Sequence, residues 1–225
     1  MSQQYRHSPI EEAICEFALP IEDTTLPGTF KSELGDSFPI KEQRLVQFMS
    51  PSGADSPTPE FKFKIINFAV FKNMEGTRLI NVSPDIVAVN CLRPYQGWDA
   101  YSNDIRHVCD ILKKAINDGD NAEIIHTVLR YVNHIFIPSD GLQLEDYFHY
   151  RPVLIPHDYE STGFALGSSM QYDDGHNSCS VQFQTILPDK PEHTGFSIDI
   201  SYRIGKTRIN ELYSAIDIAH NRIIE

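Results

Sequence analysis

The sequence predicts an α+β fold: antiparallel β-sheets covered by helices, in two pseudo-duplicated halves, 1–120 and 121–225, that form one compact unit. Three observations predict it. Segments with the strand period of two outnumber those with the helical period of 3.6. The links between strands are short, which suits antiparallel neighbours rather than parallel crossovers. The order strand, short helix, run of strands, closing amphipathic helix occurs twice, with a divide near Gly119–Asn121. The relation between the halves rests on this element order alone.

In the first half, Ala13, Cys15, Phe17 and Leu19 fall on one side of a segment that Pro20 ends, with Glu12, Ile14 and Glu16 on the other. That is a half-buried strand. Leu26 to Phe38 carries a short helical pattern, with Pro27 suited to a first turn and Pro39 beyond the end. A strand at Arg44–Ser50 leads into SPSGADSPTPE, a loop by composition and a mobile surface excursion. Phe61–Lys72 is a long strand, and Met74-Glu75-Gly76 turns it back into Thr77–Val82. After Pro84-Asp85 comes a strand at Ile86–Leu92. Ser102 or Asn103 is then the expected cap of a strong helix. Its stripe is Ile105, Val108, Ile111, Leu112, Ala115 and Ile116, and Gly119 follows as a stop.

The second half opens at Glu123 with a long strand in which Leu129, Tyr131, Asn133, Ile135 and Ile137 share a face. Its apolar character predicts a central position in the sheet. A short helix is expected at Leu142–Tyr150, then strands at Thr162–Tyr172, Ser178–Leu187 and Gly195–Ile204. Asp173 to Asn177 is a turn sequence. The closing helix starts near Thr207, with Ile209, Leu212, Tyr213, Ile216, His220 and Ile223 on its apolar stripe.

Composition narrows the function classes. Of 225 residues, 41% are hydrophobic and 22% charged, and the formal net charge is −12. That balance disfavours nucleic-acid binding, which needs a concentrated basic surface, and suits a basic partner. Cys15, Cys91, Cys109 and Cys179 are widely spaced, without a CxxC pair, so they read as buried free thiols of a cytoplasmic protein. No apolar run approaches the roughly 20 residues of a membrane span.

Chemistry-bearing residues are scattered. His126 and His134 lie about 26 Å apart on one strand and cannot share a metal. His149 and His157 flank RPVLIP, and His176 with Cys179 supplies two ligands where a site needs more. Glu11-Glu12, Glu145-Asp146 and Asp173-Asp174 are adjacent carboxylates without the apolar pocket that would shift a pKa. No GxSxG, GxxxxGK[ST] or GxGxxG occurs. Phe61-Lys62-Phe63-Lys64 offers stacking and phosphate contacts in one reading and an amphipathic strand in the other. Lys62, Lys64 and Arg78 form the one local basic patch to consider. Trp98 reads as a residue that seats a loop on the core. Arg130, in an apolar strand, asks for a carboxylate such as Asp199 in a structural pair. No catalytic, cofactor-binding or metal-binding residue is nominated, and no cofactor.

Four segments, HSPIEEAICEFAL (7–19), GWDAYSNDIRHVCDILKK (97–114), HTVLRYVNHIFIP (126–138) and SYRIGKTRINELYSAIDIAHNRIIE (201–225), carry a resemblance. In order and spacing they resemble a family of sporadically distributed bacterial proteins of unknown function, over nearly the whole chain. The most specific pieces are Pro9–Ala13 and Leu129–Asn133, neither of them a catalytic signature. The resemblance implies no reaction, cofactor or site residue. Its patchy distribution implies horizontally moving genes of the defence or toxin–antitoxin kind. Family members run on past the final helix, whereas this chain ends inside it.

The expected function is a non-enzymatic protein-binding module, a subunit or regulator in such an operon. One alternative is a helix-grip-like protein holding a small molecule or lipid in an apolar cavity beneath the helix at 103–117 or 207–224. The other is a nuclease or hydrolase using Asp173, Asp174 or His176.

Overall fold

The computed structural model describes residues 8–224 apart from 21, 53–59, 117–121, 141, 143–145, 149–162 and 173–174, with backbone alone at 48–52 and 60–64. The first half runs β1 (Ile10–Ala18), α1 (Leu26–Leu34), a 3-10 turn (Gly35–Ser37), β2 (Ile40–Ser52), β3 (Glu60–Lys72), β4 (Arg78–Val82), β5 (Ile86–Leu92) and α2 (Trp98–Ala115). The second runs β6 (Glu123–Ile124), β7 (His126–Pro138), β8 (Ala165–Gln171), β9 (Ser178–Ile186), β10 (His193–Ile204), β11 (Thr207–Arg208) and α3 (Ile209–Ile224).

Nine strands make one sheet in the order β2-β3-β4-β5-β1-β7-β10-β9-β8. Every neighbouring pair in it is antiparallel. The first long strand of each half, β1 or β7, lies at the centre, flanked by the last strand that its own half gives to this sheet, β5 or β10. β1 and β7 pair with each other from Ile10↔Asn133 to Ala18↔His126, so the sheet is continuous across the midpoint of the chain. A register shift between Ile10 and Glu12 turns Ile10 back toward the covered face, where it packs on the core.

Period two decides which face is covered. Ala13, Cys15 and Phe17 of β1, Val87 and Val89 of β5, Leu129 and Tyr131 of β7, and Tyr202 and Ile204 of β10 are buried in one core. The helices supply its other wall: Leu26, Phe30 and Leu34 from α1, Ile105, Val108 and Leu112 from α2, and Leu212 and Ile216 from α3. These helical positions recur at three-to-four spacing, which is why each helix lies flat on the sheet. The fold is therefore α+β, dominated by one antiparallel sheet with helices on one face. All four cysteines are free and buried, and burial pushes the Cys109 thiol up to about 12.

Local departures from expectation have physical causes. α2 starts at Trp98 rather than after Ser102 or Asn103, because Gly97, at φ +97°, makes the entry turn. Ser102 then lies inside the helix, where its hydroxyl donates to the Asp99 carbonyl at 3.2 Å. The strand expected from Glu123 is divided. Glu123–Ile124 leave the large sheet and pair with β11, while the Ile125 amide returns to the Ala18 carbonyl at 2.9 Å. β2 is longer than expected at both ends, since β3 pairs along its full length from Ile40↔Lys72 to Ser52↔Glu60. The core of the loop at 53–59, the stop at Gly119 and most of the short helix at Leu142–Tyr150 lie outside the described residues. Among the described residues no helix is long and apolar enough to cross a membrane.

Candidate functional site

The sheet face turned away from the helices carries the residues of opposite parity, and at its centre they are polar. Ile14 of β1 lies opposite Asn90 of β5 and Arg130 of β7, and Glu16 opposite Ala88 and Val128. Across β10 and β9, Arg130 faces Ser201, which faces Ser180; Asp199 faces Gln182. Ile14, Glu16, Val128 and Arg130, with Ser180, Gln182, Asp199 and Ser201, line a depression of about 400 Å³ over the β1–β7 seam.

Several polar groups in and beside it are fixed by one another. The Arg130 guanidinium forks onto the Asp199 carboxylate: Nε donates to Oδ1 at 2.8 Å, and Nη2 contacts Oδ2. Both members are partly buried, and the pair holds Arg130 even more firmly protonated than usual. On the other side of the seam Asn90 donates to Glu12 Oε1 at 2.7 Å, and Asn81 donates to Asn90 Oδ1 at 2.7 Å. Glu16 differs. It has no hydrogen-bond or ion-pair partner among the described residues. Burial pushes its carboxyl above the usual range, opposed by the nearby Arg130 charge.

A second polar cluster lies under the helices. Trp98 stacks on His220 with ring centroids 3.9 Å apart and an interplanar angle of 9°. The Trp98 indole donates to Asp217 Oδ1 at 3.2 Å, and the Tyr131 hydroxyl lies 2.9 Å from His220 Nδ1. Trp98 thus seats the start of α2 against α3 and the sheet, as its surroundings in the sequence suggest. Burial lowers the His220 pKa below its ordinary value.

The residues singled out for chemistry do not converge. His126 opens β7 and His134 lies eight residues further along it. The His176 carbonyl packs against Gly205, 2.7 Å from where a Cβ there would lie, so its hairpin closes against the end of β10. Cys179 is buried in the main core. Glu11 pairs with Arg93 at 2.6 Å, and Glu12 is the one held by Asn90. Arg78 leaves the candidate basic patch, since its guanidinium clasps Asp104 on α2 at 3.0 and 3.2 Å. His149, His157, Glu145, Asp173 and Asp174 lie outside the described residues, as do the side chains of Phe61 to Lys64. Among the described residues no group of three or more His, Cys, Asp or Glu could hold a metal.

Sequence reasoning raised the Arg130–Asp199 pair but missed the gathering around it. The signal was present as the wet half of each alternation: Glu12, Ile14 and Glu16 on β1, and Asp199 and Ser201 on β10. What it lacked was the strand order that sets these rows side by side.

Fold and site define an α+β protein with a sheet covered on one face and a polar depression on the other. No protein-family model matches the chain, and no curated protein matches it.

Proposed function

We propose that the protein is a non-enzymatic module that binds another protein, as a subunit or regulator, through the sheet face turned away from α1, α2 and α3. The observation that carries this reading is the asymmetry of the sheet. Helices α1, α2 and α3 cover one face, while the centre of the other holds a depression of about 400 Å³ with mainly polar walls and two apolar residues, Ile14 and Val128. Part of that wall is held in place, since Asp199 fixes Arg130, and beside the depression Asn90 fixes Glu12. Side chains already ordered lose little entropy on association, so such a surface is suited to recognition. The formal charge of −12 favours a basic partner over nucleic acid.

The reading of the halves as a duplicated unit belongs to the same proposal. It is supported by the place of β1 and β7 side by side, each flanked by the last sheet strand of its own half. The setting in a defence-type operon is supported by the sequence resemblance.

Native mass spectrometry of the chain co-expressed with the proteins encoded beside it tests the reading. A stoichiometric complex is expected. Gln182→Arg, an exposed change in the depression, should weaken it by about tenfold or more. Turnover by the purified chain, or a complex indifferent to Gln182→Arg, would overturn the proposal.

A further inference from the structure

Resting on that reading, we infer that the depression over the β1–β7 seam receives the cationic head of a lysine or arginine side chain from the partner, with Glu16 as its counter-ion. The acids of this face divide into satisfied and unsatisfied. Glu12 accepts from Asn90, and Asp199 is clasped by Arg130. Arg130 is thereby committed, its Nε and Nη2 both directed at Asp199. Glu16 is the carboxylate left over, partly buried and without a partner among the described residues. Arg203, another cation of this face, lies beyond Val128, roughly 10 Å across the sheet at two strand spacings, and is exposed.

The walls fit the stem as well as the head of such a side chain. Ile14 and Val128 line the depression beside Glu16, and apolar walls of this kind accommodate the methylene chain of lysine or arginine. The hydroxyls of Ser180 and Ser201 and the amide oxygen of Gln182 are acceptors for the N–H groups that Glu16 does not take. A partly buried carboxylate without a partner costs the fold stability. A cation arriving from outside removes that cost and forms a charge-assisted hydrogen bond. Burial raises the Glu16 pKa and the Arg130 charge offsets that only in part.

The test is an amide-resolved NMR titration of the full chain with three capped tripeptides, acetyl-Gly-Arg-Gly, acetyl-Gly-Lys-Gly and acetyl-Gly-Gln-Gly amides. Saturable shifts confined to the β1–β7–β10–β9 strip are expected with the Arg and Lys peptides and not with the Gln peptide. Glu16→Gln should weaken binding by about tenfold. Glu211→Gln, the same charge change on exposed helix α3, should leave it unaltered. A melting temperature for Glu16→Gln at or above that of the parent shows that the fold is intact. Shifts scattered over the acidic surface, or binding indifferent to Glu16→Gln, overturn the inference. If the co-expressed complex forms and Glu16→Gln leaves it intact, the inference fails and the binding-module reading stands. If the peptides bind as expected but no complex forms, the reading fails and the cation site stands.

Discussion

Trp98 is the single tryptophan of the chain, and its position makes it a reporter of one side chain. His220 lies parallel to the indole at 3.9 Å and is held neutral by burial, with its pKa below the ordinary 6.5; only Asp217 opposes the shift. An imidazolium in van der Waals contact with an indole quenches its emission, whereas neutral imidazole does so weakly. Tryptophan emission should therefore stay flat from neutral pH down to about 6.5 and then fall as His220 takes its proton. His220→Gln should abolish that step. The sign for stability follows from the depressed value. The neutral ring's contribution is fully present above the unfolded pKa and is lost as the pH falls through the folded one. A fluorescence titration of both proteins checks this, and a step that survives in His220→Gln would refute it. Little of this contact was legible beforehand: the apolar stripe of the closing helix included His220 and Trp98 read as a residue seating a loop on the core, but their stacking joins residues 122 apart (220 − 98) through a helix–helix packing that local pattern does not specify.

α2 shows which part of a helix is legible and which is not. Its apolar positions follow from spacing alone, and Ile105, Val108, Ile111 and Leu112 are all at most 1% exposed. Its start was misplaced by about a turn, because Ser102 and Asn103 have the chemistry of a cap while Gly97 has the conformation. Turn geometry outweighed side-chain propensity there. The stripe leads to a measurement. Leu112, fully buried between sheet and helices, should cost about 3 kcal/mol when replaced by Ala, through lost transfer energy and the cavity left behind. For a chain of this length that corresponds to roughly 10 °C in Tm. Asp110→Ala, on the exposed side of the same helix, should stay within about 0.5 kcal/mol. Equal losses for the two would mean that α2 is not held by its apolar face.

At the scale of the whole molecule, the alternations in β1, β7 and β10 were legible as half-buried strands, and the short links made an antiparallel sheet the natural solution. The strand order was not, because register between strands over 100 residues apart is carried by no local signal. That order has a consequence for folding. β1 and β7 form the seam, so each half ends at an unpaired central strand if the other is removed. Such a strand would expose the backbone groups of a full ladder and the inward-facing Cys15, Phe17, Leu129 and Tyr131, all buried in the intact chain. The core is shared as well, since Trp98 at the start of α2 rests on His220 of α3. Separately produced fragments 1–116 and 122–225 should therefore lack a cooperative thermal transition on their own, as read by circular dichroism. Mixed or co-expressed, they should associate one to one through the β1–β7 ladder and recover a single transition. Replacing Leu129 or Phe17 with Asp in one fragment should abolish that association. Independent cooperative unfolding of either fragment would show instead that the seam joins two autonomous units, and the sheet would then be an assembly of halves rather than one folding body.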